Sequence, residues 1–350
     1  MSNNSRSSSP TNGSSSATVH TSTPSPPPPK VTFEVSPVPP NPLGEGRYIR
    51  TAAALIIGDE ILNGKTLDRN SHCFAQFCFE NGIDLKRIEV IADNEEEIIE
   101  ASRRLVGKYD FVVTSGGIGP THDDITYESL AKAFNQKLVH HGETIRRMRE
   151  MNNHRKWVGT QNAQQLAATH RMALFPEKAE VIYVGEDIWV PVVRLEGKLC
   201  IFPGIPALFQ KMLHHLTSFL PLPPKDERPL RIQIFTKRPE SMIAPYLTSL
   251  QERLRSQGIQ VGSYPVLYKG VFVSLIGRDI KPIGEGEGKV WLADVAKEVE
   301  QEIEGKVVSE EEVAAQKRDC EHGTLPDNEA TVAEVRPPAN RGDSLGKSKY

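Results

Sequence analysis

Short apolar runs alternate with amphipathic stretches along the first half of the chain. The runs at residues 48–57, 85–92 and 111–113 are rich in strand-forming side chains and predict three strands. Between them, apolar residues at helical spacing predict helices over residues 70–81 and 95–106, the first ending at Gly82. Strands that alternate with helices favour right-handed crossovers, so the pattern predicts an α/β fold with a parallel sheet.

The rest of the chain shows a different order of elements. A basic helix is expected over residues 140–157 and another over 161–168, followed by a hairpin of residues 189–194 and 198–202 that turns at Glu196 and Gly197. A helix then runs to residue 216, and a Pro-rich linker covers residues 221–224. Beyond the linker, the strand–helix–strand–strand–helix order predicts a small α+β sandwich subdomain.

Both ends of the chain differ in composition from its middle. Residues 1–46 are rich in Ser, Thr and Pro, and residues 309–350 are polar, so we expect two disordered tails. The predicted organisation is therefore a tail at 1–46, a domain at 47–224, a subdomain at 225–308 and a second tail at 309–350.

Composition narrows the classes of partner. A chain of 350 residues with 38% hydrophobic content can bury a core, and its net charge of −3 gives no electrostatic case for nucleic acid. The apolar run at residues 52–57 is too short for a membrane helix, so no membrane partner is expected.

The cysteines show no zinc spacing, and reduced thiols favour a cytoplasmic protein. They are Cys73, Cys78, Cys200 and Cys320.

The stretch YDFVVTSGGIGPTHDDIT, residues 109–126, carries the clearest chemical signal. A buried strand leads into a glycine-rich turn and then into a helix for which Thr126 is a candidate N-cap. Main-chain N–H groups in such a turn, together with a helix N-terminus, form an anion site that suits phosphate. The candidate phosphate-binding residues are Thr114, Ser115, Gly116, Gly117, Gly119, Pro120 and Thr121.

Two carboxylates, Asp123 and Asp124, follow this turn. They would repel a phosphate unless a cation lay between, and Mg²⁺ and similar ions are usually held by one or two carboxylates plus phosphate oxygens. A divalent metal is therefore the favoured interpretation. The alternative, that both carboxylates cap a helix and the glycines only turn the chain, stays open.

Further acidic residues are predicted to lie at the same edge of the sheet. Asp59 and Glu60 follow the first strand and Asp93 follows the second, and ligands of parallel sheets bind beyond the carboxyl ends of strands. Pro203 and Gly204 form a second helix-start turn of the phosphate-binding type. Asp59 as a turn residue and Asp93 as a helix cap are the structural alternatives. The candidate catalytic residues are Asp59, Asp93, Asp123 and Asp124.

Four motifs in order resemble one known family. They are IGDEILNG followed by Asp68 and Asn70, then ADNE, TSGGIGPTHDDIT and FPGIP. Over about residues 50–220 the chain resembles the MoaB/Mog domain of molybdenum-cofactor biosynthesis, most closely the branch in CinA-type proteins and in the N-terminal half of eukaryotic FAD synthases. The resemblance implies a three-layer α/β/α fold with a mostly parallel sheet, and it adds Asn70 to the nucleotide-binding candidates. Residues 188–194 depart from the bacterial pattern and favour the FAD-synthase-like branch.

The resemblance also implies an activity. Related domains are associated with Co²⁺- or Mg²⁺-dependent pyrophosphatase activity, with the aspartates that match Asp93 and Asp124 at the metal. We therefore expect a nucleotide pyrophosphatase that acts on FAD or ADP-ribose, with Asp123 or Asp59 positioning or activating the water. Related domains often form homo-oligomers. After Gly305 there is no room for an adenylyl-transferring domain, so we expect that this chain does not make FAD.

Two other functions remain open from the sequence. The same turn could hold the terminal phosphate of molybdopterin or of its adenylylated form, which would make the chain a binding module. A catalytically silent regulatory relative is the second alternative.

Overall fold

The computed structural model describes residues 31–153, 155–266, 269–278, 291–313 and 315. Contacts divide the chain into two units. One contains the described residues up to Cys78 together with Asp84–Leu222, and the other contains Phe79–Ile83 and the described residues from Pro223 onward. Apart from Phe79–Ile83, the second unit begins at Pro223, where the sequence predicts a boundary at residue 225.

A six-stranded sheet forms the centre of the first unit. In chain order the strands of this unit are β1 (Thr51–Ile57), β2 (Asp84–Ile91), β3 (Phe111–Ser115), β4 (Leu138–His140), β5 (Leu174–Pro176), β6 (Glu180–Ile182), β7 (Val192–Leu195) and β8 (Leu199–Phe202). The sheet order is β2-β1-β3-β8-β7-β6, and β4 pairs with β5 separately. Strands β2, β1, β3 and β8 run parallel, whereas β7 and β6 are antiparallel to their neighbours, so the sheet is mostly parallel as predicted.

Helices cover both faces of this sheet. In chain order they are α1 (Asp59–Leu62), α2 (Asn70–Glu80), α3 (Glu95–Lys108), α4 (Thr126–Ala133), α5 (Gly142–Asn152), α6 (Ala163–Arg171) and α7 (Pro206–Leu216). On one face, Leu105 of α3 and Leu130 of α4 share a core with Leu55 of β1. On the other face, the ring of Phe74 in α2 lies 5.7 Å from that of Phe111. The three-layer α/β/α prediction is confirmed.

The carboxyl ends of the parallel strands lie in register. Ile57 of β1 pairs with Ile91 of β2, and Ser115 of β3 pairs with Phe202 of β8. Strands β1, β3 and β8 are buried almost throughout, which explains their continuous apolar sequence, whereas β2 lies at the edge of the sheet and exposes much of its first half. The turns that follow them therefore emerge side by side along one edge of the sheet.

The second unit is a two-layer α+β sandwich, as predicted. Its elements are β9 (Leu230–Thr236), α8 (Glu240–Leu254), β10 (Gln260–Val266), β11 (Gly270–Gly277), α9 (Leu292–Glu302) and β12 (Lys306–Val308). The antiparallel sheet has the order β10-β11-β9-β12, and Leu247 of α8 and Val299 of α9 pack with Val273 of β11. The sequence does not predict β12, which is an edge strand of three residues with two exposed side chains.

Two predictions about local structure need correction. The helix expected from residue 140 begins later, because His140 ends β4 and the side chain of His141 accepts a hydrogen bond from Thr144 N as the N-cap of α5. Residues 31–46, expected to be disordered, lie against the first unit. Phe33 is buried, and its N–H donates to Glu186 O at 2.7 Å. A buried aromatic ring offsets the cost of ordering this segment.

The remainder of both predicted tails, residues 1–30 and those after 315, lies outside the described residues. Within the described part, no helix is long and apolar enough to cross a lipid bilayer. Cys78 and Cys200 are buried thiols, and burial raises the pKa of Cys200 to about 12.

Candidate functional site

The predicted site residues follow strands whose ends align. Asp59 follows β1, Asp93 follows β2, the glycine turn follows β3, and Pro203 and Gly204 follow β8. The parallel register places all four turns at the same edge of the sheet.

Two positions of the turn after β3 require glycine. Gly116 has φ +109°, and a Cβ there would lie 2.0 Å from the carbonyl oxygen of Ile57. Gly117 has φ +64°, and a Cβ there would lie 2.3 Å from Oγ1 of Thr126. Left-handed backbone and close approach together exclude any side chain. The turn can therefore press against β1 and leave its main chain accessible.

The main-chain donors of this turn are fewer than the sequence suggests. Gly116 N donates to Phe202 O at 3.2 Å, and Gly119 N and Thr121 N donate to the carboxylate of Asp124 at 2.6 and 2.8 Å. Among the described residues, the N–H groups of Gly117 and Ile118 have no acceptor. The donors available to a phosphate are thus those of Gly117, which was predicted, and Ile118, which was not.

Thr126 fixes the turn from the start of α4. The N-cap of α4 is Ile125 rather than Thr126, which is the first helical residue and is buried. Its Oγ1 donates to Gly116 O at 2.9 Å and its N–H donates to Gly117 O at 3.0 Å. Holding both carbonyls against the helix constrains the peptides that carry the two free N–H groups.

Asn70 joins the turn after β3 to the turn after β8. It is 6% exposed, and its Nδ2 donates to Ser115 Oγ at 2.8 Å and to Gly204 O at 2.9 Å. Ser115 Oγ in turn donates to Pro203 O at 3.4 Å. Asn70 Oδ1 and Thr114 Oγ1 are buried without a hydrogen-bond partner in the described part of the chain. Asn70 and Ser115 therefore have positioning contacts inside the protein.

Asp59 and Asp93 are in direct contact. Asp59 N donates to Asp93 Oδ2 at 3.0 Å, and Asp93 N donates to Asp59 Oδ1 at 3.4 Å. The pKa of Asp93 is raised by burial, and the negative charges of Asp59, Glu60 and Asp123 raise it further. Asp93 and these three carboxylates thus form an acidic cluster, and Oδ1 of Asp93 lies 3.5 Å from where a Cβ of Gly117 would be.

Asp124, the other predicted metal ligand, is held differently. Its carboxylate accepts hydrogen bonds from Gly119 N, Thr121 N and Thr121 Oγ1. Arg171 of α6 holds the same loop from outside, since it donates to Thr121 O at 3.1 Å and to Asp124 O at 3.2 Å. The carboxylate in contact with Asp93 is therefore Asp59, where the sequence predicts a pair with Asp124. Pro120 and Thr121 are exposed at the outer side of the loop.

The acidic cluster suits a divalent cation on electrostatic grounds. Burial raises the pKa of Asp93, and the like charges of Asp59, Glu60 and Asp123 raise it further; a bound cation would relieve that repulsion. The described residues contain no group of three or more His, Cys, Asp or Glu side chains arranged to hold a metal ion. Ions such as Mg²⁺ commonly take one or two carboxylates and complete their shell with water and substrate phosphates. Asp59 and Asp93 fit that limited role.

Comparison with known proteins identifies the domain. Residues 53–222 match a family described as a probable molybdopterin binding domain. A probable FAD synthase of Caenorhabditis elegans is 32% identical over 64% of this chain and 45% of its own length. A protein of Pyrococcus horikoshii is 32% identical over 68% of this chain and 95% of its own length. A crystal structure of CinA from Thermoplasma acidophilum, of unknown function, has 28% identity and a TM-score of 0.42, covering 49% of this chain and 97% of that one.

The chain spans less than half the length of the worm relatives that it matches. The relative from Pyrococcus horikoshii, by contrast, is covered almost completely. By its sequence, its motifs and the mostly parallel three-layer domain that carries them, the chain belongs to the MoaB/Mog family of molybdopterin-binding-type domains.

Proposed function

We propose that this chain is a metal-dependent nucleotide pyrophosphatase, with FAD as the favoured substrate and ADP-ribose as the second. The observation that carries the proposal is the acidic cluster of Asp59, Glu60, Asp93 and Asp123 beside the free N–H groups of Gly117 and Ile118. Cleavage of a diphosphate needs hydrogen-bond donors that bind the phosphate oxygens. It also needs carboxylates that bind a cation and orient a water molecule.

Each group has a role in this proposal. The N–H groups of Gly117 and Ile118 donate to an oxygen of one phosphate, in a turn that Thr126 holds rigid. Asp93, with Asp59 in contact, would hold the divalent cation, and Asp124 could join them only by giving up its loop donors. A bound Co²⁺ or Mg²⁺ would neutralise the diphosphate and acidify a water.

The chemical step consumes one water. Asp123 or Asp59 accepts a proton from the water while the oxygen of that water forms a bond to one phosphorus. The bond between that phosphorus and the bridging oxygen breaks, and the released phosphate takes up the negative charge. For FAD the products are FMN and AMP. Asp123 is exposed and therefore accessible to solvent water, whereas Asp59 lies against Asp93.

Two features of the relatives bear on the substrate. The names of the worm relatives include FAD synthase, which supports a flavin nucleotide. The family description names molybdopterin, which supports the second candidate, a binding module that holds a pterin phosphate at the same N–H groups. Both candidates use the turn after β3, but only hydrolysis needs the acidic cluster.

The proposal is tested by incubating the purified chain with FAD and with ADP-ribose in Co²⁺, Mg²⁺ or EDTA. FMN and AMP are then separated and measured. We expect metal-dependent cleavage that falls by about 100-fold in Asp93→Asn, because loss of a metal carboxylate removes several kcal/mol of transition-state stabilisation. Asp84→Asn, at the other end of β2, is the matched control and should leave the rate unchanged.

Absence of cleavage with either substrate under every metal would exclude the hydrolase. Tight binding of molybdopterin by the same preparation would then support the binding module. A rate unchanged by Asp93→Asn would remove this residue from the metal site.

A further inference from the structure

Arg171 connects two segments that lie far apart in the sequence. It is the last residue of α6, and its Nη1 donates to Thr121 O at 3.1 Å while its Nη2 donates to Asp124 O at 3.2 Å. Asp124 N also donates to Thr121 O at 3.3 Å, so these two carbonyls stand at the two ends of one turn. We call residues 121–124 the aspartate turn. A single guanidinium therefore binds both ends of this turn.

The aspartate turn carries two carboxylates of the proposed reaction. Asp123 lies within it with a side chain that is 60% exposed, and Asp124 ends it. Asp124 Oδ2 lies 2.6 Å from where a Cβ of Gly119 would be, and Asp93 Oδ1 lies 3.5 Å from where a Cβ of Gly117 would be. Both carboxylates thus lie against the same glycine turn. The conformation of the aspartate turn decides where Asp123 and Asp124 stand relative to Asp93.

The end of α6 that carries Arg171 is fixed by the strand that follows it. The structure describes all nine residues of α6, and none of them is buried. Ala173 and Phe175, just beyond the helix, are both buried, and the ring of Phe175 lies 5.0 Å from that of Tyr127 in α4. Helix α4 begins at Thr126, directly after the loop that contains the aspartate turn. The guanidinium and the turn are therefore attached to the same packed elements.

The dipole of α6 does not account for these contacts. A cation is favoured in the last turn of a helix, but the guanidinium of Arg171 donates to carbonyls of another segment. Its two acceptors are main-chain oxygens, so they stay in place if the carboxylate of Asp124 turns towards a cation. The hydrogen bonds from Gly119 N and Thr121 N to that carboxylate would then be lost. Arg171 can hold the main chain of the aspartate turn in either case.

A second arginine makes the same kind of contact away from the site. Arg103 of α3 donates through Nε to Ala133 O at 2.6 Å and through Nη2 to Lys132 O at 3.3 Å. These carbonyls belong to the last turn of α4, whereas the aspartate turn precedes the first turn of that helix. Of the two arginines, Arg171 alone holds a segment that carries site carboxylates. Comparison of the two can separate a positioning role from a purely stabilising one.

We propose that Arg171 is a positioning residue for hydrolysis of the diphosphate, because it holds Asp123 and Asp124 where the water and the cation need them. This inference rests on the proposed function. The planar guanidinium suits the role, since its N–H groups have fixed directions and bind two acceptors at once. The main-chain N–H groups that receive the phosphate are held by Thr126 instead. Loss of Arg171 should therefore slow the chemical step and leave substrate binding intact.

The test compares Arg171→Gln with Arg103→Gln in the full chain. Cleavage of FAD and of ADP-ribose with Co²⁺ or Mg²⁺ gives kcat and KM, and thermal unfolding gives Tm. We expect both substitutions to lower Tm, because each removes hydrogen bonds to two carbonyls. Only Arg171→Gln should lower kcat, by about tenfold with KM unchanged, because a displaced catalytic group acts on the transition state.

Hydrogen exchange of the metal-free protein supplies a measurement that does not depend on turnover. The amides of Gly119 and Thr121 donate to Asp124, so a loosened aspartate turn should open both bonds more often. We expect these two amides to exchange faster in Arg171→Gln than in the wild type. In Arg103→Gln their exchange should be unchanged.

An unchanged kcat in Arg171→Gln, an equal fall in kcat in both variants, or unchanged exchange at Gly119 and Thr121 would overturn the positioning role. If Arg171→Gln does not fold, Arg171→Lys replaces it, since lysine keeps the charge and lacks the planar fork. The two proposals fail distinguishably. A wild type that cleaves neither substrate loses the hydrolase and this role of Arg171 with it. A wild type that cleaves FAD beside an equally active Arg171→Gln loses the positioning role alone.

Discussion

Asp93 and Asp124 follow strands of the same sheet at the same edge, yet the protein treats their carboxylates in opposite ways. Asp124 accepts hydrogen bonds from the main chain and hydroxyl group of its own loop. Asp93 accepts one from Asp59 N and is surrounded by the negative charges of Asp59, Glu60 and Asp123. The first carboxylate orders a loop, whereas the second retains unfavourable charge, which is more typical of a functional site.

The largest effect on the free energy of unfolding is expected at the glycine turn, which lies between Asp93 and Asp124. In Gly116→Ala the new Cβ would lie 2.0 Å from the carbonyl oxygen of Ile57, and φ +109° is strained for alanine. We expect the free energy of unfolding to fall by about 3 kcal/mol or more, measured by urea denaturation. Gly107→Ala is the control, because nothing lies within 4 Å of that position in α3.

For Gly107→Ala we expect an increase of about 0.5 kcal/mol, because alanine is the better helix former. Equal effects of the two substitutions would show that the backbone of the turn after β3 is not constrained against β1.

A smaller effect is expected when the carboxylates of Asp93 and Asp124 are each replaced by an amide. Asp124→Asn should lower the free energy of unfolding by about 2 kcal/mol, since the loop N–H groups lose an ionised acceptor. Asp93→Asn should raise it near neutral pH, because the pKa of Asp93 is raised by burial and like charges, so its ionised form destabilises the folded state. Urea denaturation of both variants measures the signs, and two decreases of equal size would contradict the distinction.

The smallest effect concerns a carboxylate on β2 that does have a cation. Both oxygens of Glu89 accept from Arg104 at 2.7 and 2.8 Å, and this pairing lowers the pKa of Glu89 from 4.5 to about 2. The pair therefore stabilises the fold fully above pH 4.5, and this contribution is lost as the pH falls towards 2.

Glu89→Gln should accordingly cost about 1 kcal/mol at neutral pH, and the difference from wild type should shrink as the pH is lowered from about 5 to about 3. Urea denaturation across that range measures it. Glu177→Gln, at an exposed position, should show no such trend. A pH-independent difference for Glu89→Gln would mean that the ion pair with Arg104 is absent in solution.

Much of this protein was determined by the sequence alone. The apolar runs of β1 and β3 predict central strands of a parallel sheet, because strands buried on both faces are continuously hydrophobic. Asp59, Asp93 and the glycine turn each follow a predicted parallel strand, so the sequence places them at one edge of the sheet. Ligands of such sheets bind at this edge. Local chemistry also predicts the turn at Glu196 and Gly197, where both residues have positive φ.

Tertiary structure decided which of the predicted groups remain available. The main-chain N–H groups of Gly116, Gly119 and Thr121 donate to acceptors inside the protein, whereas that of Ile118 has no acceptor among the described residues. The types of side chain in the sequence do not predict this difference. Arg171 of α6 reaches the main-chain carbonyl of Asp124 across 47 positions. Sequence periodicity reports which faces are buried, whereas the pairing of donors, acceptors and charges depends on distances that arise only when separate elements pack together.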